Sequence, residues 1–346
     1  MKQTCRVIAL GEVLWDVFDD STRLGGAPLN FAAHASRMGH DVLLISGVGD
    51  DQLGRSALGA IGAIGLDTRL IRTVQNIPTG AARVLRGPDG QTSFRIERPA
   101  AYDAVELSPD CLADLCAWNP RWLYFGTLFA HYERARATLD AVAAAVPEAS
   151  RFYDVNLRPD CYSPETVLEL LRLADVVKLN ETEMQAVAQF AGLPRIGTEA
   201  FCREGAARYG WAAVAVTLGP NGCAIWTGGE YAEAPGYSVS VVDTVGAGDG
   251  FGAAMLHGLS LQWPARDIGD FANQVGALIA SRPGGIPDWK IDEVRIPDGP
   301  AGTNPLPHGD AASSAVSESV PHMAGVFNPL AGFRLALRKS TERERS

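Results

Sequence analysis

The residues best suited to chemistry lie together in the segment VVDTVGAGDGFGAAMLHGL, residues 241–259. Gly246 and Gly248 on either side of Ala247 allow a turn tight enough for backbone N–H groups to crowd around one point. The small and apolar residues from Gly250 onward read as a helix, and the stretch ending at Asp243 reads as a strand. A glycine-rich turn at a helix start favours an anion through its free N–H groups and the helix dipole. Asp249 then stands at the rim of an anion hole. A carboxylate there suits taking the proton from a hydroxyl that attacks a phosphate, while the amides of Gly246, Ala247 and Gly248 stabilise charge on the transferred group.

A Gly-Ala-Gly turn alone is more often structural, so the neighbouring motifs decide. A P-loop is excluded, because no G-x-x-x-x-G-K-[ST] occurs in a chain with four lysines. The dinucleotide fingerprint fails too, since Phe251 stands at the third glycine position and GVGDDQLG has the wrong spacing.

Four further segments carry polar residues at candidate sheet edges or turns. GEVLWD offers Asp16, and GGAPLNFA offers Gly25, Gly26 and Asn30. Paired glycines permit close backbone approach, and Asp and Asn supply an acceptor and a donor for hydroxyls; a helix cap at Asn30 and a plain glycine loop are the structural alternative. DVNLRP brings Asp154, Asn156 and Arg158 to a strand end, with Arg158 suited to a polar substrate or phosphate charge, or to a surface ion pair. KLNETE sets Asn180 three residues before Glu183, which is also an ordinary capped helix start. TLGPNG, with Thr217, Gly219 and Gly222, makes a β-turn in any context.

Together these motifs resemble the ribokinase/PfkB family of carbohydrate kinases. DTVGAGDGFGAAML is similar to the family's DT-x-GAGD-x-F signature, and GGAPLNFAAHASRMG followed by GVGDDQLG is similar to its N-terminal signature. The likeness covers about residues 5 to 298. It implies a doubly wound, mostly parallel α/β sheet with helices on both faces and a small β lid. It further implies ATP-dependent phosphorylation of a sugar, with Asp249 as catalytic base and Gly246, Ala247 and Gly248 as the anion hole. Asp16, Gly25, Gly26, Asn30, Arg98 and Arg158 would meet the sugar or the transferred group, Arg98 from the lid segment FRIERPAAYD. Asn180, Thr217, Gly219, Gly222 and Asn273 would meet ATP. Glu183 and Asn180 would hold Mg²⁺ largely through water, as a hard ion that keeps its hydration prefers.

Many relatives bind a monovalent cation such as K⁺, with Asp243 and the Val245 carbonyl as the matching ligands, but SRPGGIP is shorter and more glycine-rich than the usual pattern and puts cation activation in doubt. Within the family, GEVLWD and Ala27-Pro28-Leu29 in place of Gly-Lys-Gly resemble fructokinases. Fructose is the expected substrate, 2-keto-3-deoxygluconate the nearest rival, and another sugar or a nucleoside the wider field. A sugar- or nucleotide-sensing protein without turnover is the reading from a different class.

The elements needed to position these residues are visible as periodicity. Val7–Leu10 and Val42–Gly47 are short apolar runs, and LNFAAHASRMG between them reads as a helix closed by Gly39. WLYFGT, RFYDVN, DVVKLN and AAVAVTLG continue the alternation, which predicts a parallel sheet covered on both faces. TGAARVLRGPDGQTSFRIER is instead two alternating runs about Gly87-Pro88-Asp89-Gly90, a hairpin signal read as part of a lid at about 14–24 and 77–103. An exposed lid edge gives a reason for homodimerisation.

A net charge of −10 with 47% hydrophobic and 20% charged residues fits a soluble protein and argues against nucleic acid or membrane as partner. Six cysteines without a C-x-x-C pair and no signal-like N-terminus point to the cytoplasm. The kinase domain is expected over 1–298, and the Pro-, Gly-, Ala- and Ser-rich 299–346 reads as a disordered tail.

Overall fold

The computed structural model describes residues 4–17, 21–86, 92–194 and 196–297. The expected tail and the expected turn at Gly87–Gly90 lie outside these residues.

In chain order, β1 (Arg6–Leu10), β2 (Leu14–Val17) and β3 (Thr22–Gly25) lead into α1 (Ala27–Arg37), β4 (Asp41–Gly49), α2 (Gln52–Ala63) and β5 (Ile71–Val74). β6 (Gly80–Arg86), β7 (Thr92–Ile96), α3 (Pro109–Trp118), β8 (Trp122–Gly126), α4 (Thr127–Ala130), α5 (Glu133–Ala145) and β9 (Ser150–Asp154) follow. The chain continues through α6 (Pro164–Leu173), β10 (Val176–Asn180), α7 (Glu181–Phe190), α8 (Thr198–Tyr209) and β11 (Ala213–Thr217). It ends with β12 (Cys223–Thr227), β13 (Glu230–Ala234), α9 (Ala247–Ser260) and α10 (Ala265–Ala280).

Nine strands form one sheet in the order β13-β12-β11-β10-β9-β8-β1-β4-β5. The run from β11 to β5 is parallel, and β12 and β13 add an antiparallel edge. Its parallel strands are mostly apolar because both faces are covered. Val7, Ala9, Val42 and Leu44 pack under α1, α2, α9 and α10, while Ile8, Leu10, Leu43 and Ile45 face the opposite layer with α5, α6 and α7. This alternation is the period-2 signature of strands. The expected β-α-β opening is present, β1 pairing parallel with β4.

The predicted hairpin strands pair as β6 and β7 in a separate four-stranded sheet, ordered β3-β2-β6-β7. Its last strand ends at Ile96, and buried Ala100, Ala101 and Tyr102 return the chain to the body, short of the predicted boundary at 103. Among the described residues, no helix is long and apolar enough to cross a membrane.

One strand expectation is corrected. Residues 235–243 form no strand: the amides of Val242 and Asp243 donate to the Ala280 carbonyl at the end of α10. Val241 and Val242 are 63% and 60% exposed, so their β-branched character marks a free wall instead of sheet core. The helix also begins earlier than expected, at Ala247, so Gly248 and Asp249 belong to its first turn.

Candidate active site

Two cavities open above the carboxyl ends of the parallel strands, where ligands of open α/β sheets bind. One, about 560 Å³, is lined by Gly219, Gly222, Tyr237, Val239, Phe251 and Asn273 among others. The second, about 340 Å³, is lined by Glu12, Asp16, Asn30, Arg158, Lys178 and Asp249 among others. Thr217, Thr244 and Gly248 line both. The apolar cavity and the polar one therefore meet at the glycine turn.

The geometry of that turn depends on glycine. Gly246 has φ 79°, and a Cβ there would lie 2.4 Å from the Gly285 carbonyl oxygen. Ala247 donates its amide to Thr244 at 3.3 Å, so it closes the turn, contrary to its expected part in the anion hole. The amides of Gly246, Gly248 and Asp249 meet no protein acceptor among the described residues. They are the open donors of the helix start.

Asp249 lies beside them, and its Oδ2 accepts the Asn30 amide at 2.7 Å. Burial pushes its carboxyl up to about 6, against the pull of Lys178. Asn30 itself lies inside α1, which has no side-chain cap, so its alternative reading as a helix cap fails. Its Oδ1 is buried without a partner. Asp16 projects from β2 over Gly25, where a Cβ would stand 3.0 Å from its Oδ2. It makes no hydrogen bond among the described residues, and burial raises its carboxyl to about 6. Gly26, at φ 116°, leaves no room for a Cβ beside the Glu12 carbonyl. Arg158 is exposed at the polar cavity and forms no ion pair among the described residues, which removes its alternative reading as a surface salt bridge.

Glu183 and Asn180 form a reciprocal capping box at the start of α7. The Glu183 oxygens accept the Leu157 and Asn180 amides, each at 2.9 Å, tying the β9 exit loop to β10. Both residues line the polar cavity. Thr217, Gly219 and Gly222 surround the apolar cavity, and a Cβ on Gly222 would collide with Ala234 and Gly236. The Asn273 amide donates to the Ala234 and Pro235 carbonyls, both at 3.0 Å, and so holds that cavity's wall in place.

Arg98 is placed differently from expectation. Its guanidinium pairs with Asp103, donates to the Leu128 carbonyl at 3.0 Å and lies over the rings of Tyr102 and Tyr132. It lines neither cavity. The aromatic pair and the carboxylate hold this cation inside the body.

Two residues were missed by the sequence reading. Lys178 in β10 reaches both Asp154 oxygens at 3.0 Å, and the pair is 9% and 0% exposed. Burial pulls the Lys178 ammonium down, but the carboxylates of Asp154, Asp249 and Glu183 outweigh it and raise its pKa. The ammonium also lies 3.2 Å from where a Gly248 Cβ would stand, directly under the turn. A lone lysine in an apolar strand was the available signal, because such a charge is buried only with a partner. Glu12 is 3% exposed and accepts the Ala27 amide at 3.2 Å, while its Oε2 has no partner. Burial pushes it up to about 7.

The sequence pattern of the pfkB family carbohydrate kinases matches residues 5–292. The fructokinase of Escherichia coli is 30% identical over 303 residues, covering 82% of this chain and 95% of that protein. A sugar kinase from Pyrococcus horikoshii, solved in complex with ATP, superposes with a TM-score of 0.69 at 28% identity over 83% of this chain and 96% of its own. The 2-dehydro-3-deoxygluconokinase of Thermotoga maritima reaches a TM-score of 0.72 over 84% of this chain and 96% of its own, at 20% identity. That last likeness is one of fold.

Proposed function

The chain belongs to the pfkB family of carbohydrate kinases, and on that premise we propose that it phosphorylates a neutral hexose, fructose to fructose 6-phosphate, at the expense of ATP. The observation that carries the choice of a neutral sugar is the charge of the polar cavity. Four carboxyl groups line it, Glu12, Asp16, Glu183 and Asp249, against two cations, Arg158 and Lys178. Lys178 is already engaged by Asp154. Such a lining suits hydroxyls, which can donate to each carboxylate, better than a substrate that brings another negative charge.

In this reading Asp16, Asn30 and the backbone at Gly25 and Gly26 orient the sugar. Asp249 takes the proton from its attacking hydroxyl; with a pKa near 6 it is ionised at neutral pH yet basic enough to accept one. The amides of Gly246, Gly248 and Asp249 receive the transferring phosphoryl group, with Lys178 under the turn and Arg158 in the same cavity to offset its charge. ATP occupies the apolar cavity along Thr217, Gly219, Gly222 and Asn273. Mg²⁺ bound to the ATP phosphates would supply further charge neutralisation.

The protein's donors suit a hydrated magnesium ion. Glu183 already accepts two backbone amides, and no cluster of three acidic, His or Cys side chains able to grip a metal occurs among the described residues. Glu183 and Asn180 would therefore hold it through its waters.

The four-stranded sheet is assigned as the lid that excludes water from the sugar, with its edge strands β3 and β7 as the surface for a homodimer. The domain is taken to end at 298, before the tail, and the cytoplasm is its assigned compartment, with neither nucleic acid nor membrane as partner. The rival substrate is 2-keto-3-deoxygluconate, favoured by one observation: the unpaired Arg158 could fork onto a carboxylate. ADP release measured with fructose, 2-keto-3-deoxygluconate, ribose and a nucleoside at fixed Mg-ATP tests the proposal. Fructose should give the highest kcat/KM; a tenfold lead for the keto acid would install the rival, and binding without ADP release would mark a sensor.

A further inference from the structure

The carboxylate of Asp243 joins the two walls of the anion-hole turn. Its Oδ1 accepts the Val245 amide at 3.0 Å and its Oδ2 accepts the Gly284 amide at 3.1 Å. These walls are in contact, since Gly285 fills the space beside Gly246. A third donor arrives from elsewhere: Arg23 Nη1 lies 2.6 Å from the same Oδ2. Arg23 sits on β3, the edge strand of the small sheet, directly across from Asp16. One ion pair thus ties the small sheet to the loop that presents the open amides.

The donors around Asp243 do not fit a bound monovalent cation. A cation needs oxygen lone pairs and uncompensated charge, whereas three of the four lone-pair sites of the Asp243 carboxylate already accept N–H groups, and the guanidinium supplies a full positive charge to it. We propose that Arg23 is a positioning residue that takes the place of a monovalent cation at Asp243, holding the glycine turn in its anion-binding shape and coupling it to the strand beside the sugar ligand Asp16. A guanidinium provides the same charge as K⁺ but arrives on a strand of the small sheet, so the electrostatic support for the turn depends on where that sheet lies. The enzyme then needs no K⁺. The inference rests on the kinase reading for its effect on turnover, though not for the ion pair.

The test compares wild type, Arg23→Gln and Arg23→Lys in buffers whose only monovalent cation is either tetramethylammonium, too large for the site, or K⁺. Both ADP release with the preferred sugar and the thermal midpoint without substrate are read. Wild type should show the same kcat and the same midpoint in both buffers. Arg23→Gln should lose about tenfold in kcat in tetramethylammonium, the rate equivalent of one charge-assisted hydrogen bond. K⁺ should restore its kcat and raise its midpoint, and Arg23→Lys should keep most of the turnover without K⁺. A wild-type enzyme activated or stabilised by K⁺ would overturn the proposal. So would an Arg23→Gln enzyme that is unaffected in tetramethylammonium, or one that K⁺ fails to rescue. If wild type phosphorylates no sugar, it is the functional reading that fails, and the thermal midpoints still decide the role of Arg23.

Discussion

Two buried polar clusters in this molecule are built on opposite chemistry. Beneath α1 and α9, three buried histidines are joined into the structure by hydrogen bonds. Cys5 donates its amide to His40 Nδ1, leaving His40 Nε2 to donate to His257 Nδ1 at 3.1 Å. The Trp289 indole donates to His34 Nδ1, and His34 Nε2 donates to Gly285. Burial lowers all three histidines to about 4, so they stay neutral and act as packing with hydrogen bonds.

At the sheet's carboxyl edge most of the buried ionisable groups are acids, and two polar atoms lack a partner. Glu12 Oε2 and Asn30 Oδ1 have no partner, and burial raises Glu12, Asp16 and Asp249. An unpaired buried polar atom costs roughly 1–3 kcal/mol. The difference is one of place: the paired histidines pack inside the body, whereas the two open atoms of Glu12 and Asn30 belong to residues that line the polar cavity.

The largest expected effect lies at the most exposed expression of that contrast. Asp249→Asn keeps the shape and the contact with Asn30 but removes the carboxylate proposed as proton acceptor. Turnover should fall roughly 10²- to 10⁴-fold, the range for a general base, while calorimetric affinities for sugar and ATP change far less. Near-normal turnover would move Asp249 out of the mechanism.

Lys178 and Asp154 combine the two characters, since they are paired with each other yet lie under the turn. Lys178→Met leaves Asp154 as a buried charge without its partner, which should destabilise the protein by about 3–5 kcal/mol in chemical denaturation. The double variant with Asp154→Asn should recover much of that stability and none of the activity. If it recovers activity too, the pair is structural alone.

Asp16→Ala should raise KM for the preferred sugar by the equivalent of about 1–3 kcal/mol, because hydroxyls are left unpaired, and should leave the thermal midpoint of the free enzyme no lower. A fall in that midpoint would place Asp16 with the satisfied, structural groups.

How much of this was legible in the sequence follows the same division. The parallel sheet was readable because its central strands are buried on both faces and so are dominated by apolar residues, as in β8 and β11. Asp249 was named for the glycine turn it follows, and Asp16 and Asn30 because GEVLWD and GGAPLNFA resemble sugar-binding segments of the family. What failed was non-local. Val241 and Val242 look like strand residues, but their backbone partner is the Ala280 carbonyl, which no local pattern announces. Arg98 sits on a segment that suggested a reach toward substrate, yet its partners Asp103, Tyr132 and the Leu128 carbonyl are set by packing. The Lys178–Asp154 pair joins neighbouring strands across 24 positions, so neither residue alone revealed the other.

An effect of similar size to that at Asp16 provides the sharpest test of the comparison, because it is a gain in stability. Glu12 has an ordinary pKa of 4.5 and is pushed by burial to about 7 in the folded protein. Between those values the unfolded chain releases the proton and the folded one keeps it, so folding loses stability as pH rises through this window. The histidines act in the opposite sense: with folded values near 4 against 6.5, they lose stability as pH falls below 6.5. Glu12→Gln removes the first effect and leaves the second intact, so the histidine contribution cancels in the difference between variant and wild type. Above pH 7 the ligand-free variant should be more stable by about 1–3 kcal/mol, an advantage that shrinks toward zero at pH 4.5, and its sugar affinity should be weaker. Urea unfolding across that pH range reads the difference directly. A variant no more stable than wild type at pH 8 would mean that Glu12 is satisfied in the free protein, and the line between groups that hold the fold and groups kept for a ligand would have to be redrawn on its other side.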